Sequence, residues 1–269
     1  MSSAPLAIPN PTRDRMAAGD VALGMNVRLG HNGDIARIAK ATGHDFIFID
    51  MQHSLFATET VGHIAQAALG CGISPMVRVR TPEDPNVPLL LDNGVTGIIF
   101  PDVETAEDAR RAVNAAKFAP VGTRSVCGGY PYFNYAPTPL TQTIPAMNAA
   151  TLVVCMIETM KGLQNVEEIA AVDGVDVVHV GANDLLTSMG KPGQFGDPEI
   201  MAAIERVIDV AKAHGRYSGF GGDRNVERQV SLIRRGARFV TTQTDIGFLM
   251  AEANRVTGSL RTALAAKAA

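Results

Sequence analysis

The segments T-L-V-V-C-M-I-E, residues 151–158, and V-D-V-V-H-V-G-A-N-D, residues 175–184, decide the fold. Both are near-continuous apolar runs rich in valine, and both close on an acid, Glu158 and Asp184. A strand with one wet face alternates apolar and polar residues. A run without alternation is expected where both faces are buried, as in a parallel sheet covered by helices. The end of such a run is where side chains first reach solvent or a ligand. Two acids at two such ends, one strand–helix unit apart, would stand side by side at one rim of a parallel barrel. Oxygen ligands in that position suit a hard divalent cation such as Mg2+ or Mn2+. Taken singly, each acid could instead cap the helix that follows it.

Working outward, the same grammar repeats. VALGMNV (21–27), FIFID (46–50), SPMVRVR (74–80) and GIIFPDV (97–103) precede these runs, and YSGFGG (217–222) and FVTTQTD (239–245) follow them. Helical patterns fill the intervals at 57–69, 106–118, 163–172, 201–214 and 225–236. Several close on glycine, at Gly72, Gly94, Gly215 and Gly236, the usual left-handed stop. Eight strands alternating with helices, without a linker-like break in composition, predict a single-domain TIM (β/α)8 barrel. The boundaries expected are an N-terminal extension over 1–18 and the barrel over 19–269. An open doubly wound sheet would need a G-x-G-x-x-G turn after an early strand, and none is present. The one long irregular stretch, 119–140, carries three tyrosines and a phenylalanine, and its length suggests a lid or a subunit contact.

Bulk properties narrow the class. A chain of 269 residues suits one barrel, and its net charge of −3 with scattered Lys and Arg gives no footprint for nucleic acid or an anionic membrane. The N-terminal residues lack the charged start and apolar core of a secretory signal. No apolar run reaches the roughly 18 residues that a membrane helix needs. Cys71, Cys127 and Cys155 are odd in number and lack CxxC spacing, which reads as reduced thiols in a cytoplasmic protein. Cys155 lies within an apolar strand, as a packing residue.

In a barrel the chemistry comes from the C-terminal strand ends and the loops after them. Those positions hold Asp50 and His53 (I-D-M-Q-H), Arg78, Arg80, Asp102, Glu158 and Asp184, then Gly221, Gly222, Asp223, Gln243, Thr244 and Asp245. Arg78 sits inside an apolar strand, and a guanidinium cannot discharge on burial, so it needs an anion. That anion is either a neighbouring carboxylate or the carboxylate and developing oxyanion of a substrate. Asp50 is expected to orient the His53 ring, making it a base near neutral pH. His179 reads as a core residue making one hydrogen bond. Lys40, Lys117, Lys161, Lys191, Lys212 and Lys267 all fall in predicted helices or loops. A Schiff-base lysine would usually stand on a strand inside the barrel, so carbonyl activation is better assigned to a metal. A serine nucleophile is unsupported, since G-x-S-x-G is missing.

The segments F-I-F-I-D50-M-Q-H53, M-V-R78-V, P-V-G-T-R124, I-E158-T and V-G-A-N-D184-L-L-T-S-M-G resemble those of the HpcH/HpaI family of metal-dependent (class II) pyruvate aldolases, from about residue 20 to 250. The resemblance implies a TIM barrel with Mg2+, Mn2+ or Co2+ on Glu158 and Asp184 and a 2-oxo acid bound beside it. It also implies that Arg78 contacts the oxo acid and that His53 with Asp50 handles protons. Asp92, in L-L-L-D-N-G, matches an acid that reaches a neighbouring subunit's site. Members are usually hexamers, with the last helix on a partner chain. The implied activity is cleavage of 4-hydroxy-2-oxo acids to pyruvate or hydroxypyruvate and an aldehyde, and the reverse addition. Backbone N–H groups of Gly181, Ala182 and Asn183 would hold the substrate carboxylate at a helix start. The chain departs from the family pattern at Gln52, where Glu is common, at Met156, where Gln is common, and in G-A-N-D for G-P-A-D. Alternatives are a related lyase using acyl-CoA thioesters, a macrophomate-synthase-like decarboxylase and a non-catalytic oxo-acid-binding barrel.

Overall fold

Each of the eight apolar runs forms a strand in the structure, a computed structural model that describes residues 6–266. The strands are β1 (Ala22–Val27), β2 (Phe46–Asp50), β3 (Ser74–Arg78), β4 (Gly97–Phe100), β5 (Leu152–Ile157), β6 (Val177–Gly181), β7 (Tyr217–Gly221) and β8 (Phe239–Thr244). They pair in parallel in chain order, and β8 returns to β1 to close the barrel, as expected of a TIM barrel. The third and fourth strands stop earlier than the apolar runs suggest, leaving Arg80 and Asp102 in loops. Residues 1–5 of the predicted extension, and Lys267, lie outside the described residues.

The period-2 alternation of a strand sorts these residues into two layers. Phe46, Phe48, Met76, Leu152, Val154, Met156, Val177 and Phe239 fill the barrel interior. Their neighbours Ile47, Ile49, Val77, Val153, Cys155, Ile157, Val178, Val180 and Val240 face outward into the helical shell. Carried to the strand ends, the parity turns Asp50, Arg78, Glu158, His179, Gly181 and Thr241 inward. Beneath them the rings of Phe46 and Phe239 stack with centroids 4.3 Å apart, which closes the barrel axis below the rim.

The helices run back down the outside of the barrel. The first six are α1 (Pro11–Ala17), α2 (Asp34–Ala41), α3 (Thr58–Cys71), α4 (Val87–Asp92), α5 (Ala106–Ala116) and α6 (Leu140–Ala150). The next five are α7 (Met160–Gln164), α8 (Val166–Ala170), α9 (Ala182–Ser188), α10 (Pro198–Ala213) and α11 (Val226–Arg235), and α12 (Asp245–Ala266) ends the described chain. The helix expected over 163–172 is divided at Asn165, whose side chain donates to the Glu104 carbonyl at 2.8 Å. Helix α1 covers the bottom of the barrel. Its N-cap Asn10 donates to the Ala150 carbonyl at 2.7 Å and accepts from the Ser74 hydroxyl at 2.8 Å, while Met16 joins the interior cluster.

The stretch 119–140 is not a lid. It leads from the C-terminal end of α5 towards the start of β5, and in a barrel that connection lies at the bottom, opposite the catalytic rim. Tyr130 is buried with Phe118 and Met147, and the Tyr132 hydroxyl donates to the Leu91 and Val95 carbonyls. Two of its tyrosines are thus spent within the chain, and Tyr135 alone of the three stays exposed. Helix α12 is the reverse case. Only Asp245 in it is buried, and Ile246, Leu249, Met250, Val256, Leu260 and Leu264 form an exposed apolar stripe at helical spacing. Among the described residues no helix is long and apolar enough to cross a membrane.

Candidate active site

The inward-turned strand ends meet in a cavity of about 70 Å3 at the C-terminal rim, lined among others by Arg78, Glu158, Gly181, Ala182, Asn183 and Asp184. Register explains the meeting. Ile157 pairs with Val180, so Glu158 stands beside Gly181, and Gly181 in turn pairs with Gly221. The Glu158 carboxylate folds across Gly181, where a Cβ would lie 2.4 Å from Oε1. Gly221 leaves similar room, since a Cβ there would meet the Thr241 hydroxyl at 2.4 Å. A larger cleft of about 430 Å3, beside Tyr132 and Tyr135, lies at the bottom, remote from this chemistry.

Glu158 is 3 % exposed, and its Oε2 accepts the Asp102 backbone N–H at 3.1 Å. Asp102 makes that contact from the left-handed region, φ 52°, an arrangement that costs a non-glycine residue on the order of 1 kcal/mol and is typical of functional sites. Burial pushes the Glu158 carboxyl up to about 7; the charges of Asp102 and Asp184 add to the rise, against the Asp102 N–H and Arg78. Asp102 is itself raised, by partial burial and then by Asp184. Three carboxylates therefore crowd one rim, and their mutual repulsion favours a bound proton or cation.

Arg78 is the nearest cation. It binds Asp50 bidentately, Nε to Oδ1 at 3.1 Å and Nη2 to Oδ2 at 2.9 Å, with both side chains buried. This follows from register, because Asp50 and Arg78 are partners on β2 and β3. The third corner, Nη1, points to Glu158 Oε1 at 4.0 Å, so the guanidinium both satisfies a structural pair and faces the cavity. The expected Asp50–His53 dyad does not form. Asp50 instead accepts the backbone N–H groups of Gln52 and His53, both at 3.2 Å, and no hydrogen bond reaches the His53 ring among the described residues. A neighbouring-strand guanidinium outcompetes an imidazole three residues along a loop. His53 remains at the mouth, exposed, close enough for its charge to act on Asp102.

The remaining expected rim residues divide. Asp223 is taken by Arg228, and Asp245 accepts the backbone N–H groups of Arg28, Leu29 and Gly30, tying α12 to the loop after β1. Gln243 accepts the Thr244 N–H. Asp92 lies at the end of α4, paired with the buried Arg124 at 2.5 Å, and is not in this chain's cavity. Lys161 is paired with Glu104 at 2.9 Å on the surface, which removes it as a catalytic amine. His179 is buried as expected but makes no hydrogen bond among the described residues: its Nδ1 is unpartnered there, its ring lines the cavity, and burial, with Arg78, pushes its pKa down to about 3. Asn26, Thr241 and Arg224 also line the cavity, and the sequence pattern does not single them out. Strand parity would have found Asn26 and Thr241 and placed His179 inward.

A hard divalent cation fits this donor set. Glu158 and Asp184 supply oxygen only, the crowding of negative charge calls for a cation, and Asn26 Oδ1 is a further buried oxygen without a partner. Among the described residues no third His, Cys, Asp or Glu joins them. Two carboxylates with the other positions left to water and substrate is the usual arrangement for Mg2+.

The barrel has relatives among known proteins. The HpcH/HpaI aldolase/citrate lyase family matches residues 26–251. A 4-hydroxy-4-methyl-2-oxoglutarate aldolase of Hapsidospora irregularis is 36% identical over 261 residues, covering 95% of this chain and 96% of that protein. A hydroxypyruvate/pyruvate aldolase of Cupriavidus necator is 31% identical, over 94% and 93% of the two chains. Among solved structures, the HpcH/HpaI aldolase from Desulfitobacterium hafniense DCB-2 superposes with a TM-score of 0.88 at 27% identity, covering 93% of this chain and 96% of the other. The chain belongs to the HpcH/HpaI aldolase/citrate lyase family.

Proposed function

We propose that this chain is a carbon–carbon lyase, a metal-dependent aldolase that cleaves 4-hydroxy-2-oxo acids to pyruvate or hydroxypyruvate and an aldehyde or ketone, and catalyses the reverse addition. The observation that carries the reading is the buried Glu158 carboxylate, raised to about 7, converging with Asp184 beside a guanidinium that Asp50 locks in place. Kinship with proteins named as aldolases of 2-oxo acids supports it.

Glu158 and Asp184 would hold Mg2+, Mn2+ or Co2+, which when bound supplies Lewis-acid stabilisation of negative charge on the oxo acid. Arg78 offers Nη1 to the oxygen where that charge develops, and the Asp50 pair fixes its aim before substrate arrives. Helix α9 begins at Ala182 without a side-chain cap, so no side chain competes for the N–H groups around Gly181, Ala182 and Asn183 that would meet the substrate carboxylate. In cleavage His53 takes the proton of the C4 hydroxyl, the C3–C4 bond electrons pass to the enolate of the donor, and C3 is then protonated. In the reverse direction His53 removes the C3 proton. The inward-facing Phe46–Phe239 stack keeps bulk water out from below.

The assembly we propose is a homo-oligomer, a hexamer by family resemblance, with α12 packing its apolar stripe on a partner and Asp92 reaching a partner's site. The catalytic domain runs from residue 19, the preceding extension closing its floor. Three free thiols support a place in the reducing cytoplasm. The test is pyruvate release from racemic 4-hydroxy-2-oxoglutarate, followed with lactate dehydrogenase and NADH. Turnover with Mn2+ that stops with EDTA supports an aldolase. Oxaloacetate decarboxylation without any aldol cleavage would replace it with the decarboxylase.

A further inference from the structure

The cavity holds a second guanidinium that makes no ion pair among the described residues. Arg224, in the loop after β7, lines the cavity with Asn183, Asp184 and Glu158. Its Nη1 donates to the Thr242 carbonyl at 2.6 Å and, at 3.5 Å, to the Thr241 carbonyl, which pins the head group at the mouth. Its Nε and Nη2 make no hydrogen bond within the described chain, and no carboxylate there lies within ion-pair distance of it. The adjacent Asp223 favours the Arg224 charge only through space, because Arg228 takes its carboxylate bidentately, Nε to Oδ2 at 2.5 Å and Nη2 to Oδ1 at 2.8 Å. Arg78, by contrast, has Asp50, and Arg28 on the far side of the rim stands 3.6 Å from the same acid.

The free edge matters chemically. Nε and Nη2 form the fork whose spacing matches the two oxygens of a carboxylate, and an arginine cannot discharge by losing its proton. Burial works against the Arg224 charge, so a partly buried guanidinium with only carbonyl partners is a site awaiting an anion. The loops set its distance from the reacting atoms. Gly181 and Gly221 are register partners, Asp184 and Arg224 each stand three residues beyond them, and Gly222 approaches Asn183 so closely that a Cβ would lie 3.1 Å from its Nδ2. Arg224 therefore flanks the mouth on the β7 side, beyond Asn183, where the half of the substrate distal to the 2-oxo acid would emerge.

We propose that Arg224 binds a second carboxylate, carried on the acceptor half, so that the preferred substrates are dicarboxylic 4-hydroxy-2-oxo acids. This rests on the aldolase reading and narrows its substrate class. The experiment compares cleavage of 4-hydroxy-2-oxoglutarate with that of 4-hydroxy-2-oxopentanoate, in which a methyl group replaces the distal carboxylate. The full chain, Arg224→Gln and Arg224→Lys are each assayed with Mn2+. The unsubstituted protein should prefer the dicarboxylate. Arg224→Gln should lower kcat/KM for the dicarboxylate roughly 10- to 100-fold, mostly through KM, as loss of a charge-assisted pair does, and should leave the pentanoate within about threefold. Arg224→Lys should recover part of the preference as a point charge.

Equal losses on both substrates, or no loss on either, overturn the assignment. Deuterium exchange into the pyruvate methyl group, run on the same samples, separates the two readings. Exchange that persists while the preference is indifferent to Arg224 overturns this inference alone; no exchange in the unsubstituted protein removes the aldolase reading and this assignment with it.

Discussion

Glu158 couples proton, metal and stability, and the coupling has a definite sign. Its carboxyl titrates at about 7 in the folded chain against 4.5 as the ordinary value, because burial disfavours the charge. A carboxyl raised on folding favours the folded state while it is protonated. The stability it allows is fully present below pH 4.5 and is lost as the pH climbs through 7. The full loss is about 3 kcal/mol, at 1.36 kcal/mol for each pH unit between the two values. For a chain of this size that corresponds to a fall in Tm of roughly 6–12 °C between pH 4.5 and 8 in EDTA. A divalent cation competes with the same proton, so Mn2+ should restore most of the loss at pH 8 and little at pH 5. Scanning calorimetry from pH 4.5 to 8, with EDTA and with Mn2+, reads both effects. Glu158→Gln should flatten the EDTA curve and abolish the Mn2+ shift. An EDTA curve whose slope is the same in Glu158→Gln would refute the reasoning.

Other perturbations test the surrounding frame. Asp50→Ala strands a buried guanidinium and should destabilise the fold by about 3–5 kcal/mol in urea denaturation, whereas loss below about 1 kcal/mol would mean the pair is dispensable. Arg78→Ala should lower kcat for aldol cleavage by about 10^2–10^3-fold, as removal of an oxyanion donor does, and steady-state kinetics showing full activity would take Arg78 out of the site. Leu260→Asp with Leu264→Asp on α12 should reduce the mass seen by size-exclusion chromatography with light scattering; an unchanged mass would free α12 from any role in assembly.

Much of this was legible because burial on both faces writes strands as unbroken apolar runs, and their ends then name Asp50, Arg78, Glu158 and Asp184. The same parity turns His179 inward, but a polar residue in mid-strand reads as core unless the alternation is followed to the cavity. Pairing was less legible. Asp50 and His53 are close in sequence, yet the Asp50 partner is Arg78, which comes alongside only through β2–β3 register. The length of 119–140 signals importance but not which end of the barrel it serves; its place between a helix and the following strand puts it at the bottom. Asn26, a polar residue on β1 at the inward parity of Ala22, was legible in the same way, whereas Arg224 leaves no pattern at all. Which loop side chain turns into a cavity depends on backbone geometry, and for Arg224 the cause is two carbonyls on β8.

The central claim is that Glu158, Asp184 and Arg78 stabilise an enolate of a 2-oxo acid. Proton NMR of pyruvate in D2O with the purified protein tests it without knowledge of the acceptor. The account predicts loss of the methyl signal with Mg2+ or trace Mn2+, none with EDTA, and none with Asp184→Asn. A methyl signal that survives in a folded, metal-supplied protein, or that is lost equally in EDTA, would contradict it.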